Sequence, residues 1–221
     1  MRTAPRAPGE RKWWNARAFG ILHRRPGPPP RFEEEIMERP IPLRERPIDI
    51  ALVGFFLLNF FFITYIVDIE QITLPSTAPG WEYPLWPPKP FVDLIHWYGN
   101  GFDPVLMARP PWWKATIWID ALFFGPFYAF AIHAFVKGKN WIRVPTLLWA
   151  ATLMTNVTVI MSEEMYGPHA TPHRALVWAL NIPWLLFPTI AIVRMWRSEK
   201  PFTRVVAEDD AVATTNAGLA E

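Results

Sequence analysis

Cysteine is absent from this 221-residue chain, which excludes disulfides, thiol nucleophiles and zinc–thiolate centres. Neither a Walker-type glycine loop nor a GxSxG elbow occurs, so the phosphate-binding and serine-hydrolase classes have no sequence support. Period-two alternation and internal repeats are also missing, and strands are not expected. A net charge of +2 gives no nucleic-acid patch, and the basic N-terminal tail carries few aromatic residues. What is abundant is apolar and ring-constrained: 51% hydrophobic residues, 13 Trp and 25 Pro.

The apolar residues gather into four blocks, 48–67, 113–136, 142–162 and 175–196. Each is near or above the ~20 residues that cross a hydrocarbon core at 1.5 Å per residue. These lengths favour an all-α, four-helix transmembrane bundle over a soluble protein with buried helices. Residues 1–47 hold eleven Lys/Arg against six acids and no apolar core, and read as a disordered or surface-lying cytoplasmic tail without a cleavable signal. Residues 48–197 form the membrane domain, and 198–221 read as a second disordered cytoplasmic tail. The 68–112 loop has two basic residues against five acids, whereas Lys137, Lys139, Arg143, Arg194 and Arg197 flank the opposite ends of the spans. The positive-inside rule therefore puts both termini in the cytoplasm and the long loop, with short helices, outside or in a lumen.

Asp120 lies inside the second block, where a carboxylate costs about 3 kcal/mol by insertion scales unless it is paired, protonated or facing a cavity. Counting from the outer surface puts it roughly 10 Å deep, level with Asn181 of the fourth block. Thr155 and Asn156 of the third block, and Thr64 and Asp68 of the first, lie in the same outer half. A few polar groups among Trp118, Phe124, Trp149, Trp178 and Trp184 suit an amphipathic ligand with a rigid apolar body. The plainer reading is interhelical adhesion, worth about 0.6–2 kcal/mol per bond; it fits Thr64, Thr155 and Asn156 better than Asp120. Asp68 can equally be interfacial polarity, and Asp103, before Pro104, a helix cap. Pro126, Pro145, Pro183 and Pro188 would bend spans or open a cavity.

Five ordered segments carry a resemblance: YIVDIEQ around Asp68, LIHWYGNGFDPVL at 94–106, PPWWK at 110–114, WIDALFFGPFYAFAIHAFVKG at 118–138 and KNWIRVPTLLW at 139–149. Residues 47–197 resemble the EXPERA-domain membrane proteins, a family that includes sterol isomerases of the emopamil-binding type and receptors of the sigma-two type. The resemblance implies that Asp68 and Asp103 are the acidic pair meeting cationic ligands and that Asp120 replaces an intramembrane Glu. It also implies that Asn181 and Trp184, within NIPWLLFP, contact ligand. Two departures bear on chemistry: Thr116 stands where the isomerases have a His, and the third span offers Thr155 and Asn156 where they have an acid. Glu163 and Glu164 come only at its outer end.

The resulting expectation is a binder of sterols or related polycyclic lipids and cationic amphiphiles, in contact with membrane lipids. Its ligand-binding residues would be Asp68, Asp103, Asp120, Thr116, Thr155, Asn156, Asn181 and Trp184. A double-bond isomerase acting on a sterol or isoprenoid ring is the alternative, with Asp120 as its catalytic acid or base; a structural subunit of a larger complex is a third reading. No cofactor and no nucleic-acid partner is expected, and a homodimer is left open. The membrane is the endoplasmic reticulum in a eukaryote or the cytoplasmic membrane in a bacterium. No metal is expected either: His96, His169 and His173 with Asp93 and Glu163 are the nearest thing to a ligand set, and Pro172 argues against a helical pair.

Overall fold

The computed structural model describes residues 36–74 and 82–207. The four apolar blocks become four helical spans, Pro47–Thr73, Pro111–Lys137, Asn140–Tyr166 and Arg174–Trp196, each long and apolar enough to cross a membrane. Leu122, Leu148 and Leu186 are among the apolar side chains left exposed on them, as a lipid-facing surface requires.

The first span comprises α1 (Pro47–Leu58), a π-helical stretch Asn59–Asp68, and α2 (Ile69–Thr73). Pro47 sits in the first turn of α1, where a missing N–H costs nothing. The change of winding has a local cause. The Asn59 amide donates to the Phe55 carbonyl at 2.8 Å, so a side chain enters the backbone ladder and competes for its acceptor. The outer connection carries α3 (Lys89–Gly101) and α4 (Pro104–Ala108). The second span follows as α5 (Pro111–Ile119), a π-helical stretch Asp120–Phe124, and α6 (Gly125–Lys137). Pro126 has no N–H to offer the Leu122 carbonyl; next to it, the Gly125 N–H reaches back five residues to Asp120.

A 3₁₀ turn at Asn140–Ile142 leads into α7 (Arg143–Tyr166). The fourth span is split into α8 (Arg174–Asn181) and α9 (Pro183–Trp196) at Ile182, and Pro188 stays inside α9. One half of the bundle is solid. Trp149 is fully buried there, stacked on Phe127 at 5.1 Å and edge-on to Phe56 at 5.2 Å.

Two short strands depart from the expected all-helical chain. β1 (Ile36–Pro40) and β2 (Thr203–Ala207) pair antiparallel, with Met37 opposite Val206. Both strands fall in segments expected to be disordered, so that expectation is corrected for 36–40 and 203–207. The remaining tail residues, 1–35 and 208–221, and residues 75–81 of the Pro/Trp-rich insertion lie outside the described residues. Side-chain anchoring explains the order next to the spans. Asn140 accepts from the Phe202 N–H at 2.9 Å and donates to the Thr203 hydroxyl at 3.0 Å. Phe202 is buried with the Arg46 and Arg194 guanidiniums 4.9 and 5.6 Å from its ring centre. Between those guanidiniums lies Asp49, fully buried, bonded at 2.8 Å to Arg46 and 3.0 Å to Arg194. Gly138 ends α6 with φ 64°, the left-handed conformation that glycine allows, and a Cβ there would meet Pro40 at 3.2 Å. Because β1 precedes the first span and β2 follows the fourth, both flanks of the domain lie on one side, as an even number of spans requires.

Candidate functional site

The half of the bundle away from the ladder is hollow. A cavity of ≈ 670 Å³ opens between the π-helical stretches, α3, α5, α7 and α8, within the range of small-molecule sites. Phe62, Trp113, Phe124, Leu153 and Trp184 give it apolar walls, and Asp68, Asp103, Asp120 and Glu164 all reach it.

The two π-helical stretches bring the first acids together. The Thr64 hydroxyl donates to Asp120 Oδ1 at 2.6 Å. Gly125 allows this approach, since a Cβ there would stand 2.9 Å from Thr64 Cγ2 and 3.0 Å from the Tyr65 hydroxyl. The Tyr65 carbonyl accepts from the Trp86 indole N–H at 2.7 Å, which satisfies a backbone group in irregular winding. Such π-helical insertions recur at functional sites because they re-aim side chains.

Asp68 and Asp103, the two acids expected to meet a cationic ligand, both line the cavity. Each also lies against a further acid: Asp68 contacts Asp120, and Asp103 contacts Glu164. The cause is the π-helical winding, which turns Asp68 toward the second span, and the extension of α7 to Tyr166, which carries Glu164 under the outer connection. Buried oxygens with no hydrogen-bond partner remain on Asp68 (Oδ2), Asp103 (Oδ1) and Glu164 (Oε2). Burial pushes the Asp103 carboxyl up to about 6, opposed by its contacts with Glu164 and the Val105 N–H. Burial and then the nearby Asp103 charge push the Tyr98 phenol, also on the cavity wall, up to about 12.

Glu164 is the residue that sequence reasoning missed. Its acid was assigned to the span's outer end because the apolar block stops at residue 162, yet α7 continues through Tyr166. The helical spacing of Leu153, Asn156, Val157, Ile160 and Glu164, all on the cavity wall, is the signal that would have found it. Thr155 is the opposite error. It is exposed, with its hydroxyl donated to the Ala151 carbonyl at 2.9 Å, because one residue along a helix turns about 100° and only Asn156 of the two faces inward.

Thr116, Asn156, Asn181 and Trp184 line the cavity as well, though three of them spend a donor elsewhere. The Trp184 indole N–H goes to Asn59 Oδ1 at 2.8 Å, the Thr116 hydroxyl to the Trp113 carbonyl at 2.8 Å, and the Asn181 amide to the Val177 carbonyl at 2.9 Å. Trp184 therefore offers a ring face and Asn181 its oxygen.

A polar cap ties the outer connection to the spans. Fully buried Glu70 accepts from Arg109 at 2.7 Å and contacts His96 Nε2 at 2.7 Å. Arg109 also donates to the Leu106 carbonyl at 2.9 Å and to the Leu74 carbonyl. Gln71 donates to Glu70 and accepts from the Trp113 indole at 2.8 Å. The other outer histidines are engaged too: His169 Nδ1 meets Glu163 at 2.7 Å, and His173 packs on Phe102. Among the described residues no cluster is arranged to hold a metal.

Comparison with known proteins agrees with the resemblance read from the segments above. Residues 90–195 match the family model of EXPERA (EXPanded EBP superfamily). The chain is 29% identical to the sigma intracellular receptor 2 of Xenopus tropicalis over 152 residues, covering 64% of this chain and 84% of that protein. The Homo sapiens sigma intracellular receptor 2 is likewise 29% identical, over 156 residues, 64% of this chain and 86% of the relative.

Proposed function

Taking the match to the EXPERA family model as the premise, we propose that this multi-pass membrane protein binds a cationic amphiphile or a sterol-like polycyclic lipid in the cavity. The observation that carries the reading is the joining of four carboxyl groups to aromatic walls in one space. An amine finds charge-assisted partners at one end of its body and apolar surface along the rest. Asp68, Asp103 and Asp120 make the polar contacts, with Thr116, Asn156, Asn181 and Trp184 around the body. Both termini face the cytoplasm, and the cavity opens in the outer half of the bilayer.

The test is binding of a lipophilic amine and of a neutral sterol to protein in lipid nanodiscs, with Asp68→Asn as the variant. The amine should lose affinity by about tenfold or more, the scale of a charge-assisted hydrogen bond, and the sterol much less. Equal losses for both would point to damaged folding and defeat the reading.

Glu164 favours a second reading, a double-bond isomerase. Moving a ring double bond needs one group to protonate an alkene carbon and another to remove a proton from a neighbouring carbon. Asp120 on the second span and Glu164 on the third supply two carboxyl groups on one cavity wall. In this reading Asp120→Asn lowers turnover by roughly 10²–10⁴-fold with binding nearly unchanged.

A further inference from the structure

The four acids divide into two sets built on different elements. Asp68 and Asp120 belong to the first and second spans, and Thr64 fixes Asp120 from the side at 2.6 Å. Asp103 belongs to the outer connection and Glu164 to α7, and Thr171 holds these two in register. Its hydroxyl donates to the Phe102 carbonyl at 2.5 Å, beside Asp103, and its N–H donates to the Glu164 carbonyl at 2.8 Å. Glu164 is 1% exposed, and both Asp68 and Asp103 are 4% exposed. Each of the three has a buried oxygen without a hydrogen-bond partner, and all three residues line a space large enough for a ligand. A buried acceptor without a donor is costly, and here two separate places in one cavity incur that cost.

Two carboxyl groups in contact form a hydrogen bond only when one carries a proton, because ionised carboxylates are acceptors alone. In the paired geometry each set therefore holds at most one negative charge. A monoamine compensates one set and leaves the other. A neutral ligand brings positive charge to neither. A molecule with one ammonium at each end of an apolar body supplies donors and charge to both, and Tyr98 places an aromatic wall in the same cavity as the second set.

We propose that the cavity takes a dicationic amphiphile, one amine at Asp68 and Asp120 and the other at Asp103 and Glu164, with the apolar body between them. This inference rests on the amine-binding reading and narrows it to a class of ligand. Glu164 is its specificity-determining residue, since it completes the second subsite without contributing to the first.

The experiment compares linear α,ω-diaminoalkanes, from hexane to dodecane, with n-alkylamines of matching length on full-length protein in nanodiscs. At the best chain length the diamine should bind at least about tenfold tighter than its monoamine partner. Glu164→Gln keeps the shape of the side chain; it should weaken the diamine by about tenfold more than it weakens the monoamine, which removes that advantage. Asp68→Asn should weaken both probes. Monoamine binding that depends on Asp68, with no diamine advantage at any length, overturns the two-subsite inference and leaves the broader reading standing. Absence of Asp68-dependent amine binding sinks both. Equal losses of the two probes in Glu164→Gln, with unchanged thermal stability, would assign Glu164 to a single shared site and also overturn the proposal.

Discussion

Replacing Gly125 by Ala tests whether the site depends on the close approach of two π-helical stretches. On helix propensity alone the change should stabilise α6 by about 0.5–1 kcal/mol, since alanine loses less backbone freedom. Sterics oppose it. The new methyl would stand 2.9 Å from Thr64 Cγ2 and 3.0 Å from the Tyr65 hydroxyl. The tyrosine tip can swing away, but Thr64 is β-branched and stiff at χ1, so the two backbones must separate. Overpacking of this kind costs about 1–3 kcal/mol. Separation also stretches the 2.6 Å bond from Thr64 to Asp120, and a hydrogen bond to a charged group is worth about 1.5–3 kcal/mol. The losses outweigh the gain, and a net destabilisation of about 2–5 kcal/mol is expected, read as a lower unfolding temperature in mild detergent. Amine affinity should fall with it. Thr64→Val removes the same hydrogen bond without adding an atom at the contact, and should reproduce the affinity loss. If Gly125→Ala raises stability and leaves affinity unchanged, the contact between the stretches is not what arranges Asp120.

Asp103 gives the site a pH dependence: its carboxyl, ordinarily near 3.8, is held at about 6 by burial, so its contribution to stability is full below pH ~4 and lost as pH rises through ~6. The loss is up to ~3 kcal/mol, seen as a fall in denaturation midpoint between pH 4 and 7 that Asp103→Asn should flatten; affinity for a quaternary ammonium probe should rise over the same interval. At the opposite end of the bundle, Asp49→Asn leaves the Arg46 and Arg194 guanidiniums without their shared carboxylate. Removing one partner of a buried ion pair costs about 3–5 kcal/mol, and the variant should unfold at a markedly lower temperature with no specific change in ligand preference. Reporter fusions at residue 90 and at the C-terminus should mark opposite sides of the membrane; the same side for both would refute the proposed orientation.

The spans were legible because their signal is long and local: some twenty apolar residues in a row leave little room for another reading. The strands were not, because β1 and β2 are more than 160 residues apart in sequence and depend on Asn140 and Phe202 for anchorage. Part of the layer was legible from depth: counting along each block put Asp120, Asn156 and Asn181 at one level, and all three line the cavity. Depth says nothing about direction, however, so it could not separate Thr155 from Asn156. Nor could it foresee the π-helical winding, whose causes are an Asn59 side chain bonding its own helix and a Pro126 that lacks an N–H. That winding decides which acids meet, and it is why Asp68 contacts Asp120. Glu164 was hidden by the habit of ending a span where its apolar residues end, although the helix runs on.

The position of the acids bears on what the cavity is for. If the carboxyl groups served only to hold helices together, amides would do it with less desolvation, since interhelical bonds in membranes gain little from charge. The Asp49 ion pairs show how this chain treats a buried carboxylate that is structural: two guanidiniums meet it at about 3 Å, and no buried oxygen of Asp49 goes unpartnered. Glu70 is treated the same way, with Arg109, Gln71 and His96 around it. The acids of the cavity are arranged otherwise. Asp120 receives one hydroxyl, while Asp68, Asp103 and Glu164 each keep a buried oxygen without a hydrogen-bond partner and line the cavity. The described residues thus contain both a saturated and an unsaturated arrangement of buried acids, and the unsaturated one lines the cavity of ≈ 670 Å³. On the proposed reading, the missing donors are those that a cationic ligand brings with it.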